Sequence, residues 1–149
     1  MSALLLDAST ILAAFDSEDE MHEPSKTIML DPLVTIATLD LARYEVANVA
    51  IRAWRSPTSV TALLEAIDRI EGDGGVHAST TTLLSGAAKL AEEHTIPVYD
   101  AAYVTAANRA GCSLVSCDIR DLVGKGLAIT PADAHARRAP AVKARRKRR

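Results

Sequence analysis

The amino-acid sequence predicts a single α/β domain with a mainly parallel sheet. Short apolar runs that end in polar residues alternate with longer amphipathic segments, which is the order of a strand–helix–strand fold. The length of 149 residues fits one domain. Apolar residues make up 48% of the chain, many of them alanine, and aromatic residues only 3%. This composition favours close-packed helices over an aromatic-rich β-sandwich.

The first half of the chain begins with a predicted strand. Residues 3–6 form an apolar run that ends at Asp7, which indicates a short buried strand. The later predicted elements of this half are a helix opened by Ser9 and Thr10, an acidic loop over 16–23, a short helix from Pro24 to Leu30, a strand over 33–37, a helix over 38–55, and a helix capped by Ser56 that runs to about Glu71.

The second half continues the alternation of strands and helices. The run over 113–117 is the clearest buried strand, and Gly111 before it is a fitting residue to end a helix. The predicted elements of this half are a short strand or extended link over 76–78, an amphipathic helix over 80–93, a helix over 101–110, the strand over 113–117, and a last strand around 127–129.

Charge is divided unevenly along the chain. All 19 acids lie at or before Asp133, and residues 1–136 hold nine of the 17 bases, so this part has a net charge of −10. The last 13 residues hold the other eight bases, a net charge of +8. We therefore expect a folded domain over 1–133 and a basic, disordered tail over 134–149. The tail either improves solubility or binds RNA phosphates, and the bases that would make these contacts are Arg145, Arg146, Lys147 and Arg148.

The sequence predicts a cytoplasmic protein. No apolar run approaches the ~20 residues of a membrane helix, and the first residues lack the basic region of a signal peptide. Cys112 and Cys117 agree with a reducing compartment, and we expect small buried side chains rather than zinc ligands. Trp54 and Tyr103 fall on apolar faces and are expected in the core or at a dimer contact.

Four separated acids stand where an apolar segment ends or where an apolar helix shows a polar face: Asp7, Glu45, Asp100 and Asp118. The carboxyl ends of parallel strands share one edge, which is where ligands bind in open α/β folds. Carboxylates gathered there repel one another unless a divalent cation neutralises them. The pattern predicts a Mg²⁺ or Mn²⁺ site, and such sites most often act on phosphate. Helix N-capping is the alternative role for Asp7, Asp100 and Asp118.

Glu45 lies in the middle of a predicted helix, where it cannot be a cap. It shares one helical face with Asn48, Arg52 and Arg55, at spacings of three, seven and ten residues. One interpretation is an exposed polar stripe. The other is a wet cleft in which Asn48 orients Glu45 or a bound water.

Four motifs in this order resemble a PIN domain. They are Asp-Ala-Ser at 7–9, Glu-x-x-Asn at 45–48, Tyr-Asp-Ala-x-Tyr at 99–103 and Ser-x-Asp-x-x-Asp at 116–121. The length and element order are similar to those of single-domain VapC-type toxins of toxin–antitoxin pairs, over roughly residues 3–130. The resemblance implies a PIN-like three-layer α/β/α sandwich.

The resemblance also implies a metal-dependent endoribonuclease that leaves a 5′-phosphate and a 3′-hydroxyl. The residues that match the family's acidic quartet around Mg²⁺ or Mn²⁺ are Asp7, Glu45, Asp100 and Asp118. The residues that it adds are Asp121 as a further ligand and Ser9, Asn48 and Ser116 in support. The cation would activate a water and neutralise charge on the transition state. A homodimer, an RNA substrate and a small antitoxin that blocks the acidic pocket are implied as partners.

Two other functions compete with the nuclease. A non-catalytic nucleic-acid-binding or adaptor domain would work through the basic tail, without the acidic quartet. A nucleotide-binding α/β protein is disfavoured, because the segment 7–14 after the first strand contains no glycine that would let the backbone approach phosphates.

Overall fold

A parallel four-stranded sheet organises the chain in the computed structural model, which describes residues 3–137. Its strands are β1 (Leu4–Leu6), β2 (Ile36–Leu39), β3 (Val76–His77) and β4 (Ser113–Val115). The order across the sheet is β3-β2-β1-β4, and Leu5 of the central strand β1 lies opposite Ala37 and Leu114. These three residues are buried, as expected for a strand that is covered on both faces.

Six helices connect and flank the strands: α1 (Ala8–Phe15), α2 (His22–Leu30), α3 (Leu41–Arg52), α4 (Pro57–Gly72), α5 (Thr81–His94) and α6 (Val98–Ala110). Local sequence explains several of their ends. Ser56 caps α4, with Pro57 at the first helical position, and Thr80 caps α5. Gly111 ends α6 in the left-handed conformation, as its position predicts.

The strand order places the helices in two layers. The chain moves in one direction from β1 through β2 to β3, and then returns across the sheet to β4. Because parallel crossovers are right-handed, α1 to α4 cover one face of the sheet and α5 and α6 cover the other. The observed packing agrees, since α4 contacts β2 and β3 while α6 contacts β1, β2 and β4. The predicted α/β class and parallel sheet are confirmed.

The second strand and the helix after it begin later than predicted. The strand expected over 33–37 lies at Ile36–Leu39, so α3 begins at Leu41 and not at Thr38. Pairing explains the shift. The Thr38 N–H donates to Gly75 O and its hydroxyl donates to Leu6 O, at 2.8 and 2.7 Å, and these bonds hold Thr38 in the sheet.

Three further differences concern the second half. Helix α6 begins at Val98, three residues before the predicted start. The strand expected at 127–129 is reduced to one bridge between Val115 and Ile129. Residues 131–137 are helical and Ala134 is buried, so the first four residues of the segment assigned to the tail are helical. None of the helices in the described part of the chain is long and apolar enough to span a bilayer.

Candidate active site

The carboxyl edge of strand β1 ends in a buried acid, Asp7, which is 5% exposed. Its Oδ1 accepts hydrogen bonds from the Ser9 hydroxyl at 2.6 Å and from the Thr10 N–H at 3.0 Å. Its Oδ2 accepts from the Ser116 hydroxyl at 2.5 Å. Asp7 is therefore the N-cap of α1, as one alternative predicted, and is also tied to the end of β4.

Strand β4 leads into a second acidic turn at the same edge. The Ser116 hydroxyl accepts from the Asp118 N–H at 3.0 Å. Asp118 then caps a single π-helical turn, Ile119–Val123, because its Oδ1 accepts from the Asp121 N–H at 2.9 Å. This turn presents Asp121 beside Asp118. π-Helical turns are rare and occur frequently at functional sites.

Asp100 joins these two acids from the other side of the edge. It lies in the first turn of α6 and does not cap it, so the capping alternative is wrong for this residue. One oxygen from each of Asp100, Asp118 and Asp121 lies within 4.8 Å of the others. We call this set the acidic trio. Its donors are carboxylate oxygens without histidine or cysteine, which fits a hard cation such as Mg²⁺ or Mn²⁺ better than zinc.

Glu45 reaches the site from helix α3. Its Oε1 accepts a hydrogen bond of 2.8 Å from the hydroxyl of Tyr103, which lies one turn after Asp100 on α6. The partner expected for Glu45 was Asn48. That residue is exposed and makes no hydrogen bond to Glu45 in the described part of the chain.

The pKa shifts show that the acids share one electrostatic environment. The pKa of Asp100 is raised to about 6 by burial first, and then by the negative charges of Asp118, Asp7, Glu45 and Asp121. Burial also raises the pKa of Asp7, although hydrogen bonds from Ser116, Ser9 and Thr10 oppose it. The pKa of Glu45 is raised by burial and by Asp7, against the Tyr103 hydrogen bond. A bound cation would relieve this repulsion.

The structure therefore brings the five predicted acids to one edge and arranges them unequally. The oxygens of the acidic trio lie within 4.8 Å of one another. Asp7 is buried next to the trio, and Glu45 is close enough to Asp7 to be repelled by its charge. Ser9 and Ser116 support Asp7 directly. The predicted RNA-binding bases of the tail, Arg145, Arg146, Lys147 and Arg148, lie outside the described residues.

Sequence reasoning missed the role of Tyr103 and of the Thr10 backbone. Tyr103 lies in the core, which is one of the two places expected for it, and its hydroxyl donates a hydrogen bond to Glu45. The available signal was its position three residues after Asp100, which places both on one helical face. Cys117 is half-buried, and burial followed by the charge of Asp7 raises the pKa of its thiol to about 11. The thiol is therefore neutral and is no candidate nucleophile.

Comparison with known proteins shows the family of this chain. The PIN domain family profile matches residues 4–123. The chain belongs to the PIN-domain family. Ribonuclease VapC3 of Pyrobaculum aerophilum is 35% identical over 119 residues, which cover 77% of this chain and 88% of that protein.

Two solved structures share the fold of this PIN domain. The crystal structure of PAE2754 from Pyrobaculum aerophilum has a TM-score of 0.66 and 25% identity, and the match covers 93% of this chain and 90% of that one. A toxin–antitoxin complex from Klebsiella pneumoniae has a TM-score of 0.64 and 18% identity, covering 87% and 98%. The predicted PIN-domain membership is confirmed, and the family match spans every acid from Asp7 to Asp121.

Proposed function

We propose that this PIN domain is a Mg²⁺- or Mn²⁺-dependent endoribonuclease and the toxin of a type II toxin–antitoxin pair. The observation that carries the proposal is the acidic trio, with its oxygens within 4.8 Å of one another and Asp7 and Glu45 beside it. The 35% identity to Ribonuclease VapC3 supports RNA as the substrate class. Such a toxin acts in the cytoplasm, on cellular RNA.

The acidic trio would hold the cation, with Asp7 and Glu45 completing the site. When bound, the cation supplies an activated water as nucleophile and neutralises charge at the phosphate. Asp7 retains capacity for this role. A carboxylate has about four lone-pair positions, and Oδ1 uses two of them on Ser9 and Thr10 while Oδ2 uses one on Ser116. Among the described residues, Oδ2 accepts only from Ser116, so a lone pair remains there for a cation.

The remaining side chains hold these acids in place before substrate binds. Ser116 connects Asp7 to the Asp118 backbone, and Tyr103 orients Glu45. Groups that are fixed in advance need no rearrangement during the reaction, which is the main source of electrostatic catalysis. The same acids repel RNA phosphate when no cation is present. Catalysis is therefore expected to require metal at the binding step as well as at the chemical step.

The decisive experiment compares wild-type protein with Asp100→Asn on total RNA in Mg²⁺ or Mn²⁺, with and without EDTA. We expect discrete cleavage that needs metal and is lost in Asp100→Asn. Lys89→Gln, an exposed change on α5, is the matched control and should cleave normally. Cleavage that persists in Asp100→Asn would exclude this site as its source.

Partners follow from the toxin proposal. A small antitoxin is expected to cover the acidic edge, in line with the Klebsiella pneumoniae neighbour, which is a toxin–antitoxin complex. A homodimer is the expected assembly state. The adaptor alternative is not favoured, because it assigns no role to five acids that converge at one edge.

A further inference from the structure

A groove of about 550 Å³ adjoins the acidic trio and is not used by the proposed metal chemistry. We call it the α5 groove. Helix α5, the linker to α6 and the π-helical turn form its walls, and its lining includes Ala88, Glu92, Ile96, Val98, Arg120 and Asp121. Its volume lies within the ~300–1,000 Å³ of sites that bind small ligands. Because Asp121 also belongs to the trio, a ligand in the groove would lie next to the metal site.

The lining combines an apolar surface with a few polar groups. Ala88, Ile96 and Val98 are apolar, and Val98 is 43% exposed. Arg120 is the one basic side chain among the described lining residues. Glu92 is exposed, so water and salt screen its charge. This lining fits a ligand that has both a flat apolar part and a negative group, and a nucleotide has both.

Arg120 offers most of its guanidinium to such a ligand. Its side chain is 91% exposed, and its Nε donates to Asp121 Oδ1 at 3.3 Å. That is the one hydrogen bond of the guanidinium among the described residues, so four of its five N–H donors remain available. Exposed ion pairs contribute little to stability, so the fold does not depend on this contact.

The contact with Asp121 also couples Arg120 to the metal site. Asp121 is one of the three acids whose oxygens lie within 4.8 Å of one another. When Asp121 ligates a cation, its charge no longer balances that of Arg120. The arginine then presents a net positive charge to the groove, and guanidinium groups bind phosphate through paired hydrogen bonds.

The walls of the groove are held together by Lys125. Its Nζ donates to the carbonyl oxygens of His94 and Thr95, at 2.7 and 3.2 Å. These bonds connect the loop after the π-helical turn to the C-terminal end of α5. A ligand that enters a site held in this way loses less of its binding free energy to ordering the protein.

We infer that the α5 groove binds one nucleotide of the RNA, next to the cleaved bond. Arg120 contacts its phosphate, and its base lies against Ile96 and Val98. This inference rests on the proposed ribonuclease function. It adds a substrate-binding residue, Arg120, to the acids that hold the cation.

The test titrates the full chain in Mg²⁺ with each of the four nucleoside 5′-monophosphates and follows the backbone amide signals by NMR. A 5′-monophosphate carries the end that the proposed cleavage would produce. We expect saturable shifts at Ala88, Glu92 and Val98 with at least one of the four. Inorganic phosphate should bind more weakly, because it lacks the base.

A pair of variants identifies the phosphate contact. Arg120→Gln should lower the affinity for the bound monophosphate about tenfold, since a hydrogen bond to a charged group is lost. Its affinity for Mn²⁺, measured by calorimetry without nucleotide, should not fall. The matched control is Lys89→Gln, which removes an exposed charge from α5 outside the groove lining and should keep the wild-type affinity.

Four results would overturn the inference. They are no shift at the groove with any monophosphate, equal affinity for inorganic phosphate, unchanged affinity in Arg120→Gln, and an equal loss in Lys89→Gln. Total-RNA cleavage and its loss in Asp100→Asn test the proposed function separately. A protein that cleaves RNA but shows no shift at the groove would therefore overturn this inference alone.

Discussion

The hydroxyl of Tyr103 donates a 2.8 Å hydrogen bond to Oε1 of Glu45, across 58 positions of sequence. The bond connects α3 with α6 at the carboxyl edge of the sheet. It fixes Glu45 beside Asp7, and burial first and then the negative charge of Asp7 raise the pKa of Glu45. A repelled carboxylate would otherwise turn toward solvent, so Tyr103 acts as a positioning residue for the proposed metal site.

Removing that hydroxyl should weaken the metal site without unfolding the domain. We expect Tyr103→Phe to lower Mn²⁺ affinity or RNA cleavage about 10–100-fold, the usual effect of losing a group that orients a metal ligand. The control is Tyr99→Phe, which changes an exposed tyrosine on the same helix and should have no effect. Calorimetric Mn²⁺ titration provides a readout besides activity. Equal affinities for the two variants would show that Glu45 does not need Tyr103.

Ser116→Ala should damage both stability and the site. The change removes the donor to Asp7 and the acceptor for the Asp118 N–H, and both are near the edge of the core. We expect a loss of about 1–3 kcal/mol in unfolding free energy, together with weaker metal binding. Ser113→Ala is the matched control on β4, because its hydroxyl has no hydrogen bond among the described residues. Denaturant melts of the two variants would reveal the difference, and identical melts would contradict it.

The metal-free protein should lose stability as pH rises from about 4 to about 6. Asp100 has an ordinary pKa of 3.8 that the fold raises to about 6, so the folded state holds a proton that the unfolded state releases. Stability that is present below pH ~4 is therefore lost as pH rises through about 6. Asp100→Asn should make the dependence shallower, measured by urea melts in EDTA. Added Mn²⁺ should oppose the loss, because metal binds the ionised carboxylates. Identical pH profiles for wild type and variant would refute the assignment.

Gly124→Ala should disturb the turn that carries Asp121. A Cβ at Gly124 would lie 2.6 Å from the carbonyl oxygen of Ile119, which is too close for backbone to accept unchanged. We expect a destabilisation of about 1–3 kcal/mol, typical of overpacking, and weaker Mn²⁺ binding. Gly72→Ala is the control, since its Cβ would meet nothing within 4 Å, and it should be neutral or stabilising by up to about 1 kcal/mol. Equal melting temperatures would show that the turn accommodates the methyl group.

Local signals predicted most elements of the fold and left some boundaries wrong. The N-cap of α4 at Ser56 and the C-terminal end of α6 at Gly111 depend on neighbouring residues, so both were predicted correctly. The boundary at Thr38 was misplaced because its two hydrogen bonds go to β1 and to the residue before β3. Hydrogen-bond acceptors so distant in the chain cannot be recognised from the residues near Thr38.

The sequence by itself determined the α/β class, the family and which acids belong to the candidate site. Periodicity, strand ends and motif spacing depend on residues that are close together in the chain, so they can be recognised without the structure. Only the tertiary structure decided how those acids are arranged. In the folded chain Asp7 is buried and accepts hydrogen bonds from three donors, and Glu45 accepts one from Tyr103. Oxygens of Asp100, Asp118 and Asp121 lie within 4.8 Å of one another. The physical reason is that hydrogen bonds and Coulomb interactions depend on distances of a few ångströms. Packing sets these distances between segments that lie far apart in the chain.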